Sequence, residues 1–245
     1  MCLRDDGLAP VRAEGIHGSG AWDLKNMNDR PESAALTFEA ALQKVPVIPV
    51  IVLQRSADAV PVAEALIEGG IPIFEFTLRT EAALPAIGEI AKHFPDALTG
   101  AGTVLDQSQA RKAIDAGARF IVSPGWDSGV IETAQAAGLP VVPGVATASE
   151  VQRARNHGLR VLKLFPAGVA GGIPMLKALS AVFSDTGFVP TGGVSAGNLG
   201  EYLALPNVVA VGGSWLTPAN AIAEGRFEEI TRLAVEARQI AEDIR

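Results

Sequence analysis

The feature that most constrains the fold of this chain is a regular alternation of short apolar runs with longer segments of helical periodicity, starting near residue 33. The apolar runs are Val45–Leu53, Ile71–Phe76, Ala97–Gly100, Phe120–Ser123, Leu139–Pro143, Val161–Phe165, Phe188–Pro190 and Val208–Val211. The amphipathic segments are Ala57–Glu68, Glu81–Phe94, Gln107–Ala116, Gly129–Ala137, Ser149–His157, Pro174–Phe183, Ala196–Leu203 and Phe227–Ile244. Runs that are apolar on both faces indicate parallel strands buried between helices.

Eight strand–helix units predict an α/β fold, a (β/α)₈ TIM barrel, formed as a single domain by residues 33–245 with an N-terminal extension. An open doubly wound sheet is the competing architecture. It is disfavoured because no glycine-rich dinucleotide fingerprint follows the first apolar run.

Local signals support these helices. Ser33 and Ser149 stand where N-caps are expected, and glycines stand where helices should stop. These glycines are Gly69, Gly70, Gly117, Gly138 and Gly158.

The segment 1–32 has little periodic hydrophobicity, which predicts a flexible tail. Its first residues contain charged side chains and no apolar core, so no secretory signal is expected. The single cysteine, Cys2, excludes an intramolecular disulfide and a thiolate metal cage. A cytoplasmic location is the resulting expectation.

Charge and hydropathy exclude two classes of partner. The formal net charge is −7 and the basic residues are scattered singly, so no nucleic-acid partner is expected. The longest apolar stretch, Val45–Leu53, is about half as long as a membrane-spanning helix and contains two prolines, so no membrane span is expected.

One lysine lies in the middle of an apolar run. Lys163 is flanked by Val161, Leu162 and Leu164, and burying an ammonium group there is costly unless it is paired. A neutral buried amine is a nucleophile toward carbonyls, which makes Lys163 a candidate Schiff-base former. The alternative is a side chain whose tip reaches water between the strand and a helix.

Chemistry in such barrels takes place at the C-terminal ends of the strands. The polar residues expected there are Arg55, Glu75, Thr77, Arg79, Thr103, Ser123, Thr147, Lys163, Thr191 and Ser214. Glu75 is also embedded in an apolar run, so it is a candidate general acid and base. The alternative is a structural glutamate paired with an arginine of a neighbouring strand.

Two glycine pairs follow consecutive strands near the end of the chain. Thr191-Gly192-Gly193 follows the seventh run, and Gly212-Gly213-Ser214 follows the eighth. Barrels often bind phosphate with backbone N–H groups in these two loops, so a phosphorylated substrate is expected.

Seven segments in order, over residues 35–240, resemble the 2-keto-3-deoxy-6-phosphogluconate (KDPG) aldolases, class I lyases that often also act on 4-hydroxy-2-oxoglutarate (KHG). They are Phe74–Thr80, Gly100–Val104, Ser123–Gly125, Pro143–Val145, Leu162–Ala167, Pro190–Gly193 and Val211–Trp215. The resemblance implies cleavage of KDPG to pyruvate and glyceraldehyde 3-phosphate, no cofactor or metal, and a homotrimer.

The resemblance also implies residue roles. Lys163 would be the Schiff-base lysine and Glu75 the acid and base, while Arg79 and Thr103 would hold the pyruvyl carboxylate. Thr191 corresponds to a position tied to stereochemical control. Pro124, Gly192, Gly193, Gly213 and Ser214 would complete the substrate-binding set.

The resemblance also implies a substrate preference, read at the second strand. Relatives acting on the 6-phosphogalactonate compound typically read Glu-Val-Pro-Leu-Asn there, so Thr77 and Arg79 favour the gluconate substrate. Phe76 departs from the family's usual valine, which is expected to alter packing but not chemistry.

Three alternatives stay open at this point. Metal-dependent aldol cleavage is disfavoured because His17, His93 and His157 do not follow strands. A phosphosugar isomerase or epimerase would share the phosphate loops without needing a lysine in a strand. In a non-catalytic phosphate sensor, Glu75 and Lys163 would be only a buried ion pair.

Overall fold

The computed structural model describes residues 38–245, so the predicted tail and the predicted cap at Ser33 lie outside the described residues. The strands are β1 (Val47–Ile51), β2 (Ile73–Thr77), β3 (Leu98–Gly102), β4 (Phe120–Val122), β5 (Val141–Val142), β6 (Gly144–Val145), β7 (Val161–Leu164), β8 (Gly187–Pro190) and β9 (Val211–Gly213). The helices are α1 (Phe38–Lys44), α2 (Ala59–Glu68), α3 (Ala83–His93), α4 (Gln107–Asp115), α5 (Ser128–Ala136), α6 (Ala148–Asn156), α7 (Gly172–Val182), α8 (Ala196–Leu203), α9 (Ala219–Ala223) and α10 (Phe227–Ile244).

The strands form a curled parallel sheet, which confirms the predicted α/β class. Six strands pair in the order β5-β4-β3-β2-β1-β9, and three pair in the order β6-β7-β8. Only Pro143 separates β5 from β6 along the chain. On the other side, parallel bridges join Phe188 to Val208 and Thr191 to Gly212.

The predicted bounds of several strands are wrong, and two of these differences have a clear cause. The eighth run was expected to end at Val211, but β9 begins there and includes Gly212 and Gly213, which pair with β1. Glycines lack the apolar side chains from which a buried strand is inferred, so the pairing of their backbone goes unnoticed in the sequence. The fifth strand was expected to end at Pro143, but the chain resumes strand pairing after it as β6. The break falls at Pro143 because proline has no N–H to donate to a neighbouring strand.

The helices follow their predicted bounds closely, apart from one cap. Ser149 was expected to cap α6, but Thr147 occupies the cap and its hydroxyl accepts a hydrogen bond from the N–H of Glu150. The carboxylate of Glu150 accepts in return from the N–H of Thr147, and this reciprocal pair fixes the start of the helix. The glycines expected to end helices do so at the C-terminal ends of α2, α4, α5 and α6.

Strand alternation decides which side chains face the interior of the curled sheet. Every residue of β2 is buried, and Glu75 points to the face opposite to that of Phe74 and Phe76. In β7, Lys163 is opposite to Leu162 and Leu164 in the same way. Both ionisable side chains therefore leave their strands toward one shared interior.

Candidate active site

The centre of the site is an ion pair between Lys163 and Glu75. Lys163 Nζ lies 3.4 Å from Glu75 Oε1, and the two side chains are 6% and 3% exposed. The ring of Phe165 lies beside the amine, with its centroid 5.3 Å from Nζ. The alternative in which Lys163 reaches water is therefore wrong. So is the alternative of an arginine partner for Glu75, since its cation is a lysine 88 residues along the chain.

This pairing joins the two groups that carbonyl chemistry needs. The carboxylate can accept a proton from the ammonium group, which leaves a neutral amine free to attack a ketone. Both groups are nearly inaccessible to water, and desolvation makes an isolated charge costly there. The pair is therefore suited to proton exchange between its two members.

Gly102 makes room for the Glu75 carboxylate. The two residues lie on the paired strands β2 and β3, where Glu75 is in register with Gly100 and Thr77 with Gly102. A Cβ atom added to Gly102 would overlap Oε1, Cδ and Cγ of Glu75. Glycine is thus required at this position for the glutamate to lie where it does.

Arg79 lies on an anchored turn after β2. The hydroxyl of Thr77 donates to the carbonyl of Ile51 at 3.0 Å, and that of Thr80 donates to the carbonyl of Leu53 at 2.6 Å. The Leu78 N–H donates to the carbonyl of Gly102 at 2.8 Å. Arg79 itself is exposed and makes no hydrogen bond or ion pair with another described residue, so its guanidinium is available to an anion.

Thr103 follows β3 in an unusual backbone conformation. Its φ is 54°, and it is the one residue other than glycine with a positive φ among residues 38–245. A β-branched residue in this region is strained by about 1–3 kcal/mol, which is typical of functional positions. Thr103 is half-buried and directly follows Gly102, the residue whose backbone lies against the Glu75 carboxylate.

Pro124 follows β4 in a compact turn. The hydroxyl of Ser123 is buried and donates to the carbonyl of Gly125 at 2.7 Å. The Pro124 carbonyl lies so close to Gly144 that a Cβ atom there would overlap it. Pro124 is therefore held against β6, the strand that pairs with the lysine strand.

The turn after β8 is tied to the turn after β7 by two backbone hydrogen bonds. The Ala167 N–H donates to Thr191 at 2.8 Å, and the Gly168 N–H donates to Gly192 at 2.9 Å. Gly193 has a φ of 86°, a conformation open to glycine. The N–H groups of Gly193 and Val194 have no acceptor among the described residues, so they are free to bind an anion.

The turn after β9 differs from the predicted loop. Gly213 is a buried strand residue, and a Cβ atom on it would overlap the ring of Trp215. This glycine therefore accommodates the indole, and the prediction that Gly213 lies in a loop is wrong. Ser214 is exposed directly after the strand, and its N–H has no acceptor within the described part of the chain.

The other polar residues predicted at the strand ends have local partners. Arg55 forms two hydrogen bonds with Asp58, of 3.1 and 2.7 Å, and Thr147 caps α6. Thr191 is buried, and its Oγ1 lies against Gly212, where a Cβ atom would overlap it. Of the predicted set, Lys163 and Glu75 are in contact, and Arg79 and Thr103 follow the C-terminal ends of β2 and β3, where the Leu78 N–H donates to the Gly102 carbonyl.

Sequence reasoning missed several supporting residues. Thr80 and Trp215 carried no signal as single residues, since their contacts depend on strands distant in sequence. Asn198, whose side chain holds the turn after β8, had one signal: it stands three residues after Ser195, as in a capping box.

Two negative observations concern residues 38–245. No group of three histidine, cysteine, aspartate or glutamate side chains is arranged there to hold a metal ion. No helix in this part of the chain is long and apolar enough to cross a membrane. His93 and His157 both lie at the ends of helices, on the surface.

Comparisons with known proteins agree with this geometry. The family model "KDPG and KHG aldolase" matches residues 38–233. The chain is 47% identical to the 2-dehydro-3-deoxy-phosphogluconate aldolase of Treponema pallidum (strain Nichols), over 84% of this chain and 98% of that protein. It is 45% identical to the KHG/KDPG aldolase of Escherichia coli K12, over 81% of this chain and 93% of that protein.

A solved structure is similar over almost the same region. It is the KDPG aldolase of Legionella pneumophila with pyruvate captured at low pH as a covalent carbinolamine intermediate. The TM-score is 0.79 at 46% identity, with 82% of this chain and 97% of that chain covered.

Proposed function

The chain belongs to the KDPG and KHG aldolase family, and from this premise we propose how its own residues carry out the reaction. It is a class I aldolase that cleaves KDPG to pyruvate and glyceraldehyde 3-phosphate, and cleavage of KHG to pyruvate and glyoxylate fits the family. The observation that carries the residue assignment is the buried ion pair of Lys163 and Glu75, 3.4 Å apart.

Catalysis begins with imine formation. Glu75 accepts a proton from the Lys163 ammonium, and the neutral amine adds to the C2 ketone to form a carbinolamine. Loss of water, with a proton returned by Glu75, gives the iminium. The positively charged nitrogen is then the electron sink for the next step.

Carbon–carbon cleavage follows from the same pair. Glu75 takes the proton of the C4 hydroxyl, directly or through one water, and the electrons of the C3–C4 bond move into the enamine. Glyceraldehyde 3-phosphate leaves as the aldehyde. Glu75 returns the proton to C3 of the enamine, and one water hydrolyses the imine to pyruvate and free Lys163, which balances the water lost earlier.

Arg79 and Thr103 hold the carboxylate of the substrate in this proposal. The unpaired guanidinium of Arg79 offers a bidentate contact on an anchored turn, and the strained Thr103 follows Gly102, whose backbone lies against the Glu75 carboxylate. Fixing the carboxylate makes the attack of Lys163 effectively intramolecular. Pro124 closes the pocket beside β6, and Thr191 orients the aldehyde end.

The phosphate binds at the turns after β8 and β9. The free N–H groups of Gly193, Val194 and Ser214 support this assignment, because successive N–H groups without acceptors form an anion site. Gly192 lets the turn approach the substrate closely. Gly213 contributes to this site by packing under Trp215.

Covalent trapping tests the proposal. Incubation with pyruvate and borohydride, followed by peptide mapping, should place the adduct on Lys163 and on no other lysine. An adduct elsewhere, or none, would overturn the mechanism. The absence of any adduct would also return the isomerase and the non-catalytic sensor to consideration, since neither forms an imine.

We also propose that the curled sheet closes into a barrel. The two bridges between β8 and the β9 segment support a closed (β/α)₈ barrel in which β5 and β6 count as one strand. We further propose a homotrimer, a single domain of residues 33–245, and a cytoplasmic location. The small-molecule partner is a phosphorylated keto acid.

A further inference from the structure

A single side-chain amide holds the turn after β8 from the first turn of α8. Asn198 Nδ2 donates to the carbonyl of Gly193 at 2.9 Å, and its Oδ1 accepts from the N–H of Ser195 at 2.9 Å. The orientation of the amide follows from these partners, because a carbonyl only accepts and an N–H only donates. Asn198 therefore fixes two consecutive stretches of backbone at once.

This contact sets the direction of a free donor. The carbonyl of Gly193 and the N–H of Val194 belong to one planar trans peptide unit, so they point in opposite directions. Because the carbonyl is held toward Asn198, the Val194 N–H is turned away from α8. That N–H has no acceptor among residues 38–245, and neither has the N–H of Gly193.

The other half of the turn is held independently. The carbonyls of Thr191 and Gly192 accept from the N–H groups of Ala167 and Gly168, at 2.8 and 2.9 Å. These bonds are between backbone groups, so a substitution at Asn198 leaves them in place. A change at Asn198 should thus affect the peptide of Gly193 and Val194 and spare the part of the turn that is bonded to the segment after β7.

We propose that Asn198 is a positioning residue that sets the preference of the enzyme for phosphorylated over unphosphorylated keto acids. It acts by holding the Gly193–Val194 peptide so that its N–H faces the substrate phosphate, and it does not touch the reacting atoms. This inference rests on the proposed phosphate site at the turns after β8 and β9. Preoriented donors bind an anion more tightly than donors that must reorganise, and their effect depends on direction.

Kinetics of Asn198→Leu on two substrates test this role. Leucine has nearly the same size and removes both hydrogen bonds. The KM for KDPG should rise about tenfold, as expected for one misdirected hydrogen bond to a charged group. The kcat for KDPG and both constants for KHG, which has no phosphate, should stay within about twofold of wild type.

A second variant keeps the test decisive if the leucine variant is poorly folded. Asn198→Ala loses both side-chain hydrogen bonds without adding charge, so it should also raise the KM for KDPG selectively. Two control variants are Glu201→Gln, on the exposed face of the same helix, and Asn207→Ala, which loses a similar 2.9 Å bond to the carbonyl of Leu176. The first should change nothing, and the second should lower the melting temperature without altering the KM ratio of the two substrates.

Two outcomes would overturn the role of Asn198: an unchanged KM for KDPG in both variants, or equal losses on KDPG and KHG. Pyruvate trapping on Lys163 separates this failure from failure of the proposed function, because pyruvate carries no phosphate. A wild-type chain that traps pyruvate and cleaves both substrates, beside Asn198 variants with an unaltered KM ratio, would reject only this inference.

Discussion

Adding one methyl group at Gly102 should displace the catalytic carboxylate without altering any residue that does chemistry. The backbone of Gly102 lies in a region open to alanine, so Gly102→Ala introduces no backbone strain. The new Cβ would overlap Oε1, Cδ and Cγ of Glu75, whereas ordinary contact begins at 3.4 Å. The carboxylate therefore has to retreat by more than about 1 Å to restore normal packing.

Such a retreat is large compared with the geometry of the ion pair. Lys163 Nζ is already 3.4 Å from Glu75 Oε1, near the limit of a hydrogen bond, so a further 1 Å would break the contact. A misplacement of about 1 Å in a catalytic group costs about 10²-fold in rate. We expect kcat for KDPG to fall by about that factor, measured as pyruvate release coupled to NADH oxidation by lactate dehydrogenase.

The matched control is Gly88→Ala on α3. The same methyl group there meets only the carbonyl of Ala116, at 3.7 Å. Activity should be unchanged, and the melting temperature should rise, because alanine favours a helix over glycine by about 1 kcal/mol. If Gly102→Ala kept kcat within about threefold of wild type, a loss well short of the 10²-fold for a 1 Å misplacement, the placement of Glu75 by Gly102 would be refuted.

Four further outcomes are expected. Glu75→Gln should lower turnover of KDPG by about 10²–10⁴-fold, and a rate near wild type would mean that Glu75 is structural. Gly193→Val should raise the KM for KDPG and largely spare KHG, whereas Gly213→Val should damage both activities because the new side chain displaces the indole of Trp215. Chelator treatment should leave activity unchanged, and loss restored by a divalent ion would overturn the class I assignment. Arg155 donates hydrogen bonds of 2.7 and 2.5 Å to Asp185 and thereby lowers the pKa of that carboxyl group. The stability that this pair contributes to the fold is therefore present above the unfolded pKa of about 3.9, and it is lost as the pH falls through the lower folded pKa. Asp185→Asn should therefore cost at most about 1 kcal/mol at pH 7, since both side chains are partly exposed, and the difference from wild type should shrink below about pH 4 in urea unfolding.

The strands could be predicted wherever they carried apolar side chains. The runs around β1, β2 and β7 stood out because both faces of a covered parallel sheet are apolar. The final strand was misplaced because its pairing with β1 uses Gly212 and Gly213, whose burial leaves no hydrophobic signal. The break at Pro143 was not foreseen, since a proline at the end of an apolar run also fits the end of a strand.

The central pair of the site could be predicted for the same physical reason. An ionisable residue inside an apolar run has few structural explanations, so Lys163 and Glu75 could each be identified from the sequence as a candidate site residue. Their mutual contact entered only as the ion pair of the non-catalytic sensor, because it joins strands 88 residues apart. The anchoring of Arg79 by Thr80, and of Gly193 by Asn198, depends on which carbonyl each side chain reaches. That information exists only in the folded chain.

Most glycines of the site make room for side chains of the protein, whereas the backbone N–H of Gly193 is free within residues 38–245. Gly102 lies under Glu75, Gly212 under Thr191 and Gly213 under Trp215. Each of these glycines makes room for a side chain of the protein, so substituting any of them acts on that side chain first. Gly193 differs, because nothing in the described chain covers it except the backbone of Gly168, and its N–H is free. The inference of a bound phosphate therefore rests on the free N–H groups of the two turns, and a glycine pair alone would not distinguish an anion site from close packing of this kind.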